Sequence, residues 1–314
     1  MVVGSLNMDF VVRVNRLPAS GETVTGHDFQ MTPGGKGANQ AAAAGKLGAA
    51  SVAVRMIGRV GMDLFADRLR ASLASAGVDV SAVHSSRSQP TGVALIAVDA
   101  AGQNQIVVAA GANAELAASE AEQMRRVFRG ASIALFQLES PLATVAAALK
   151  IAKEEDLKTI LDPAPAQPLP PDMLRDIDIL TPNETEAHIF LGLTPKRIAI
   201  EEARAIAEQI AQVGPRMVVL KLGDRGCFFH GAGETYHVPG FAVDAIDSTA
   251  AGDTFNAALA IALAEGAAIP HALRFANAAA AISVTRPGAQ TSAPSRAEVD
   301  AMLSGAPFPN QRSA

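Results

Sequence analysis

In its C-terminal third the chain reads Asp247-Ser248-Thr249-Ala250-Ala251-Gly252-Asp253-Thr254-Phe255-Asn256, a small-residue turn that runs directly into an apolar helix. Small side chains let backbone amides crowd together at the start of a helix, where the partial positive charge favours a phosphate group. Asp253 lies in the same turn, where its carboxylate could take a proton from a hydroxyl that attacks the phosphate. On local grounds alone, a helix cap explains Asp253 equally well.

Upstream of this turn, short apolar segments alternate with longer helical ones. Strands are predicted at residues 2–6, 52–57, 133–138, 159–161, 177–180 and 217–222, and helices at 35–47, 142–155 and 199–213. Downstream, the chain is mostly helical, over 254–265, 270–284 and 295–303. Nearly continuous apolar strands separated by helices predict an α/β fold whose mainly parallel sheet is covered on both faces. A dinucleotide-binding dehydrogenase shares this alternation, but no Gly-x-Gly-x-x-Gly run follows the first strand.

Two segments, residues 10–30 and 91–110, break the alternation. In both, residues rich in Val, Ile and Thr follow one another with no helix between them. This pattern predicts hairpins that form a small second sheet. Residues 304–314, rich in Pro and polar side chains, are expected to be a flexible tail.

The composition limits which kinds of fold, partner and compartment we expect for this chain. With 314 residues, 49% of them hydrophobic, the chain can bury a large core in one large α/β domain or two ordinary ones. The net charge of -5, without a dense Lys/Arg block, gives no reason to expect nucleic acid or an acidic membrane surface as a partner. Its single cysteine, Cys227, is expected to be a buried thiol without a role. With no signal peptide and no spanning apolar run, we expect a cytoplasmic protein.

Three further segments carry polar residues at places where α/β proteins bind ligands. Gly34-Gly35-Lys36-Gly37-Ala38-Asn39-Gln40 opens the first long helix and is not a Walker A loop, although alone it is an ordinary turn. Gly4-Ser5-Leu6-Asn7-Met8-Asp9 places Asn7 and Asp9 at the exit of the first strand, where a carboxylate can accept from two neighbouring sugar hydroxyls or can simply be solvated. Gln137-Leu138-Glu139-Ser140-Pro141 ends a buried strand, and by itself Glu139 is better explained as an exposed loop acid.

Residues 34–40 and 247–256 resemble the N-terminal and C-terminal signatures of the ribokinase family, also called phosphofructokinase B-type carbohydrate kinases. The resemblance extends from Val3 to about Leu303, with both signatures in the expected order and separation. It implies one kinase domain over residues 1–303, built as a three-layer αβα sandwich. It also implies a small β lid formed by about residues 10–30 and 91–110, and a homodimer that pairs lid to lid.

The activity implied by the resemblance is ATP-dependent phosphorylation of a sugar hydroxyl, with Asp253 as the general base. The amides of Ala250, Ala251 and Gly252 would form the anion hole. The implied sugar-binding residues are Asn7, Asp9, Gly35, Lys36, Asn39, Glu139 and Asp253. The segments at residues 21–26, 34–40 and 137–141 look ribokinase-like, so the preferred substrate is D-ribose, phosphorylated at its primary 5-hydroxyl to ribose 5-phosphate. Deoxyribose, another sugar or a nucleoside remains open, as does a catalytically silent sugar- or nucleotide-binding protein.

The nucleotide side of the site is also implied by resemblance. Thr181-Pro182-Asn183-Glu184-Thr185-Glu186 resembles the family's Asn-x-x-Glu motif, in which Glu186 would act on magnesium through water, although Thr181 or Asn183 could be a simple helix cap. Lys221-Leu222-Gly223-Asp224-Arg225-Gly226 resembles the turn beneath the nucleotide, but many relatives carry Thr or Ser where this chain has Lys221 and Asp224. The implied ATP-binding residues are Asn183, Glu186, Lys221, Gly223, Gly226, Gly252 and Asn277, the last without a stacking role.

A monovalent cation site is implied as well. Thr285-Arg286-Pro287-Gly288-Ala289-Gln290-Thr291-Ser292 resembles the family segment that encloses potassium together with an aspartate and a backbone carbonyl. Carbonyl oxygens, one carboxylate and a hydroxyl are suitable potassium ligands. The implied residues are Asp247, Thr249, Ser283, Arg286, Gly288 and Ser292. An ordinary loop that stabilises the C-terminal helix is the alternative.

Overall fold

A computed structural model of the chain describes residues 1–48 and 51–305. The predicted flexible tail at 304–314 lies outside these residues except for its first two positions. Among the helices of the described residues, none combines the length and the apolar character needed to cross a bilayer.

The strands belong to two sheets. In chain order they are β1 (Val2–Val3), β2 (Asn7–Arg13), β3 (His27–Gly34), β4 (Val54–Val60), β5 (Val78–Asp79), β6 (Val83–Ser85), β7 (Gly92–Val98), β8 (Asn104–Ala109), β9 (Ile133–Phe136), β10 (Lys158–Leu161), β11 (Ile179–Leu180), β12 (Met217–Lys221), β13 (Cys227–Gly231) and β14 (Glu234–Val238).

The large central sheet runs in the order β14-β13-β12-β11-β10-β9-β1-β4-β5, with β6 also paired to β4. All neighbours from β12 to β5 are parallel, and only β13 and β14 join as an antiparallel hairpin at one edge. The carboxyl ends of the parallel strands therefore share one edge of the sheet, where polar residues that follow the strands meet. This confirms the mainly parallel sheet that the alternating pattern predicts.

The second sheet has the order β3-β2-β7-β8. Its two hairpins, β2–β3 and β7–β8, are antiparallel, and they join through a parallel pair between β2 and β7. We call this four-stranded structure the small sheet. Its first hairpin spans residues 7 to 34, beyond the predicted 10–30, because the chain leaves the central sheet after β1 and enters β2 directly after Leu6.

Helices cover both faces of the central sheet. They are α1 (Lys36–Gly48), α2 (Leu64–Ser75), α3 (Ala118–Phe128), α4 (Leu142–Glu154), α5 (Pro171–Arg175), α6 (Glu184–Phe190), α7 (Ile200–Ala211), α8 (Ala251–Ala264), α9 (Ile269–Ser283) and α10 (Arg296–Leu303). Two buried clusters result: one joins the sheet to α1, α2, α8, α9 and α10, and the other joins it to α3 through α7. The protein is thus a three-layer αβα sandwich, as expected.

Two alanine-rich helices pack closely on one face. Their contact residues include Ala38, Ala41 and Ala42 of α1 and Ala257 and Ala258 of α8, all at most 1% exposed. Side chains this small let the two helix axes approach, and they cost little side-chain entropy on burial. The approach brings the first turn of α1 beside the first turn of α8, which sets up the site described next.

Candidate active site

A cavity of about 440 Å³ opens at the carboxyl edge of the central sheet. Its walls come from the segments that the sequence singled out, together with one residue that it did not. The lining includes Lys36, Asp162, Asn183, Glu186, Lys221, Gly223, Ala250, Ala251, Gly252 and Asp253. Residues separated by more than 200 positions in the chain therefore face one another across a single cavity.

Asp253 lies inside the first turn of α8 and is not its cap. The N-cap is Ala250, which has φ of +57° and makes no side-chain capping bond. The Asp253 carboxylate is 5% exposed and accepts hydrogen bonds from the neighbouring helix instead: Asn39 Nδ2 donates to Oδ2 and Gln40 Nε2 to Oδ1, each at 3.1 Å. The helix-cap interpretation of Asp253 is therefore wrong.

Burial raises the pKa of Asp253 to about 6, since a charged carboxylate loses its hydration. Lys36 opposes this rise, and the negative charge of Asp162 adds to it. Burial would lower the pKa of Lys36, but the carboxylates of Asp253, Asp162, Glu139 and Glu186 outweigh burial and raise it. Lys36 thus stays charged, and Asp253 can change protonation near neutral pH.

A second carboxylate, Asp162, shares a hydrogen-bond donor with Asp253. The Gln40 amide nitrogen donates to Asp162 Oδ2 at 3.2 Å as well as to Asp253, while Gln137 Nε2 holds Gln40 Oε1 at 2.6 Å. On its other side, Asp162 accepts a charged hydrogen bond at 2.9 Å from Lys221 Nζ. One neutral amide therefore fixes the relative positions of two buried acids.

The turn before Asp253 presents backbone amides to the cavity. The amide of Ala251 donates to the Ser248 carbonyl at 3.2 Å. Within residues 1–48 and 51–305, the amides of Ala250 and Gly252 have no protein acceptor. Of the three predicted anion-hole donors, these two are free to bind a ligand, and the start of α8 adds its partial positive charge.

Predicted sugar-binding residues converge beside Asp253. Burial, together with the charges of Glu139 and Asp253, raises the pKa of Asp9 to about 7. Glu139 Oε2 accepts hydrogen bonds from Ser5 Oγ at 2.6 Å and from the Lys36 amide at 3.0 Å. Glu139 is therefore tied into the site, and the interpretation of it as an exposed loop acid is wrong.

Gly35 is required by the backbone at this point. Its φ is +88°, and a side chain there would meet the Asn7 amide nitrogen at 2.7 Å. Asn7 is 3% exposed, and its Oδ1 accepts from Asn113 Nδ2 at 2.8 Å. Asn113 also bonds both backbone groups of Leu6, so it fixes the point where the chain passes from β1 into the small sheet.

Asn183 and Glu186 cap the N-terminus of α6, which forms part of the cavity wall. Asn183 Oδ1 accepts from the Glu186 amide at 2.8 Å, and the two Glu186 oxygens accept from the Asn183 amide and side chain at 2.7 and 2.8 Å. This is a capping box for α6, so the capping interpretation of Asn183 is confirmed. Burial raises the pKa of Glu186, although Lys221 opposes that rise.

Of the remaining residues predicted to bind ATP, Gly223 and Gly226 lie in the β12–β13 turn, and Asn277 of α9 contacts the end of β14. The Leu222 amide donates to the Gly226 carbonyl at 2.8 Å and the Gly226 amide to Gly223 at 3.1 Å, which closes the turn. Asn277 Nδ2 donates to the carbonyls of Val238 and Pro239, both at 3.1 Å. Asn277 therefore anchors the exit of β14.

Cys227 lies on β13, where it is buried beside the side chain of Asn277. Burial raises the pKa of its thiol to about 12. A thiol that stays protonated and hidden is chemically inert, as the sequence predicts.

The implied cation segment folds around Asp247. The carboxylate accepts from the amides of Thr249 and Gly288, both at 2.9 Å. These bonds outweigh burial and lower the pKa of Asp247. The hydroxyls of Ser283 and Ser292 donate to carbonyls in their own turns, each at 2.8 Å.

The Arg286 side chain pairs with Glu298 of α10 at 2.9 Å. Asp247, Thr249 and Gly288 are thus brought together, whereas the Arg286 side chain holds α10. Among the described residues, no three His, Cys, Asp or Glu side chains form a metal cluster of their own.

This geometry can be compared with known proteins. A model of the pfkB family carbohydrate kinases matches residues 1–296. The chain belongs to this family.

Three relatives of this carbohydrate kinase illustrate how far the similarity extends. A ribokinase of Haemophilus influenzae is 42% identical over 298 residues, which is 95% of each chain. The crystal structure of a Thermotoga maritima ribokinase has a TM-score of 0.86 and 40% identity, covering 96% of this chain and 98% of the other. An Arabidopsis thaliana ribokinase in complex with ribose and ATP has the same TM-score at 35% identity, covering 96% and 97%.

Four residues of the carbohydrate kinase site were missed at the sequence level as functional candidates: Gln40, Asn113, Gln137 and Asp162. Gln40 and Gln137 lie inside the motifs at residues 34–40 and 137–141, and Asp162 directly follows the buried strand β10 as Gln137 directly follows β9. A search for polar residues just after each predicted strand would have found Asp162. No comparable signal marks Asn113, since its position depends on tertiary packing.

Proposed function

We propose that the protein is an ATP-dependent ribokinase that transfers the γ-phosphoryl group of ATP to the primary 5-hydroxyl of D-ribose. One observation carries the proposal: a buried carboxylate, Asp253, lies in the same turn as two free backbone amides and beside Asn39 and Asp9, whose side chains can bind sugar hydroxyls. The complex of the Arabidopsis relative with ribose and ATP supports this choice of substrates.

In the proposed reaction Asp253 accepts the proton of the attacking hydroxyl as that oxygen bonds to the γ-phosphorus. The phosphorus–oxygen bond to ADP breaks, and ADP leaves with that electron pair. The free amides of Ala250 and Gly252 face the transferring group, and each well-placed donor contributes on the order of 3 kcal/mol. Lys36 stays protonated because of its surrounding carboxylates and adds positive charge. Exclusion of water by the small sheet, acting as a lid, would limit ATP hydrolysis.

The sugar would bind between Asn39 and Asp9. Asn39 Nδ2 donates to Asp253, while its buried Oδ1 has no partner among the described residues and can accept from a sugar hydroxyl. Asp9 and Glu139 can each accept from hydroxyl groups. Deoxyribose is the nearest alternative substrate, because it differs from ribose by one hydroxyl only. It would leave one acceptor of this pocket unpaired, which favours ribose.

Two cations accompany the proposal. Both Glu186 oxygens already accept hydrogen bonds from Asn183, so Glu186 fits a magnesium ion held through water rather than directly. Asp247, Thr249 and Gly288 fit a potassium ion, since a carboxylate and carbonyl oxygens of the loop are the donors this ion takes. Magnesium would neutralise charge on the phosphates.

A homodimer through the small sheet is part of the same proposal. This sheet exposes large apolar side chains, with Phe29 60%, Leu95 54%, Ile106 53% and Val107 66% exposed. Exposed apolar surface of this extent favours association with a second copy. Light scattering of the wild type and of Val107→Asp should give the dimer and monomer masses, and a monomeric wild type would refute this part.

The substrate assignment is tested by coupling ADP release to a colour reaction. The panel contains ribose, deoxyribose, fructose and adenosine, each with magnesium, and with potassium or sodium as the other cation. We expect the largest kcat/KM with ribose and more turnover in potassium. A higher kcat/KM with any other acceptor would replace ribose, and no turnover with any acceptor would favour a silent binding protein.

A further inference from the structure

Lys221 projects into the cavity from the last position of β12, at the carboxyl edge of the central sheet. Its side chain is 12% exposed, and Nζ lies 2.9 Å from Asp162 Oδ1. A methyl group placed on the Cα of Gly252 would lie 3.3 Å from Nζ. The ammonium group therefore reaches the amide turn that precedes Asp253.

The Lys221 side chain is positively charged in this setting. Burial would lower the pKa of Lys221, but Asp162 and Glu186 outweigh it and raise it. An ammonium group has three donors, of which Asp162 uses one in the observed geometry. The other donors lie beside a cavity that also holds the free amides of Ala250 and Gly252.

We infer that Lys221 is a phosphate-binding residue of this kinase, contacting the terminal phosphates of the nucleotide, and that Asp162 and Gln40 are its positioning residues. The inference rests on the proposed use of ATP. An ammonium group next to two free amides provides donors for several phosphate oxygens at once. Asp162 fixes the lysine through a charged bond, and Gln40 fixes Asp162 relative to Asp253.

The central experiment is calorimetric binding of ATP with magnesium, and of AMP, to Lys221→Met. AMP lacks the terminal phosphates that Lys221 would contact. We expect ATP affinity to fall on the order of 10- to 100-fold, which corresponds to one charged hydrogen bond, and AMP affinity to stay within about twofold. Lys221→Arg should recover most of the ATP affinity, because it retains the charge.

Two outcomes overturn the inference: unchanged ATP affinity in Lys221→Met, or equal losses for ATP and AMP. A wild type that binds ATP no more tightly than AMP also overturns it. Because this readout needs no turnover, it is separate from the proposed function: failure to phosphorylate any sugar refutes the latter only.

A matched control exists at the opposite end of the sheet. Lys153 forms a pair with Asp178 at the same 2.9 Å distance. Lys153→Met should leave both nucleotide affinities unchanged. Since Lys221→Met leaves Asp162 buried without its cation, the double variant Lys221→Met/Asp162→Asn removes both charges and keeps the test valid if the single variant fails to fold.

The role of Asp162 is tested by the pH profile of kcat/KM. Three charged groups act directly on Asp253: Asp9, Lys36 and Asp162. Glu139, Glu186 and Lys221 act in turn on these three. Asp162 raises the pKa of Asp253. Asp162→Asn should therefore move the acid limb to lower pH, whereas Lys221→Met, which leaves Asp162 uncompensated, should move it to higher pH. Shifts of the same direction in both variants would contradict the positioning role.

Discussion

The two ends of the central sheet each hold a buried aspartate beside a lysine, but the carboxylates differ in character. At the amino end, Asp178 accepts from Lys153 with both oxygens at 2.9 Å and from the Thr159 amide at 2.9 Å. Those bonds outweigh burial and lower its pKa. At the carboxyl end, Asp253 accepts from two neutral amides only, and burial raises its pKa to about 6.

The difference shows that burial alone does not decide what a carboxylate does. Asp178 has a cation of its own, so its charge is fully compensated and serves stability. The cation that lowers the pKa of Asp253 is Lys36, whose charge also interacts with Asp162, Glu139 and Glu186. A buried acid with a shared cation keeps the capacity to take up a proton near neutral pH.

Of the variants at the two ends of the sheet, Asp253→Asn should have the largest effect, which is on kcat. It removes the proposed base and keeps the size of the side chain, so we expect kcat to fall by roughly 10³- to 10⁴-fold. Sugar affinity, measured by calorimetry, should change little. Near-normal turnover in this variant would show that Asp253 is not the base.

Asp178→Ala should destabilise the fold without affecting turnover. Loss of this carboxylate leaves Lys153 and the Thr159 amide without their partner, and we expect about 3 kcal/mol less stability in urea denaturation at pH 7. Because the folded-state pKa of Asp178 is lowered, its contribution is present above about pH 4 and disappears as the pH falls through the folded value. A comparable loss of kcat in the folded variant would contradict the division between the two ends.

The pH dependence of turnover should reflect Asp253 and not Asp178. The base must be unprotonated, so kcat/KM should fall about tenfold per pH unit below an apparent pKa near 6. Lys153→Met should show the same fall in kcat/KM at acid pH. If kcat/KM fell only below about pH 4, the base would have an ordinary carboxylate pKa.

Asp9→Asn should have the smallest effect on stability, with the sign opposite to Asp178→Ala. Because the pKa of Asp9 is about 7 in the folded state and about 4 in the unfolded state, the wild type loses stability as the pH rises from about 4 to about 7. An uncharged Asn does not, so we expect the stability of Asp9→Asn relative to wild type to be about 2 kcal/mol greater at pH 8 than at pH 5, measured by thermal unfolding. A variant less stable than wild type at pH 8 would contradict the raised pKa.

The sequence predicts the fold more completely than it predicts the site. The alternation of apolar strands and helices was enough for the three layers, and the two Val/Ile/Thr-rich segments that break it were enough for the small sheet, because strand and helix periodicities are local properties. Element bounds differed where tertiary contacts decide them: α8 begins at residue 251 rather than 254, which places Asp253 inside the helix.

Within the site, the family motifs identified Asp253, Asn39 and Glu139, which the structure brings together. The sequence did not predict that Gln40 would bridge Asp253 and Asp162. Such a bridge depends on how closely α1 and α8 pack, which a motif does not encode. Likewise, Arg286 is directed to Glu298 by the packing of α10, although its segment resembles a cation-binding loop.

The buried thiol on β13 has a practical consequence for experiments on motion. Cys227 is the chain's single cysteine, and its protonated, hidden state makes the native protein unreactive to thiol-directed dyes. A cysteine introduced at Gln105, which is exposed on β8 of the small sheet, would then carry a fluorophore alone. Its signal during turnover would show whether the small sheet moves, as the proposed lid function requires.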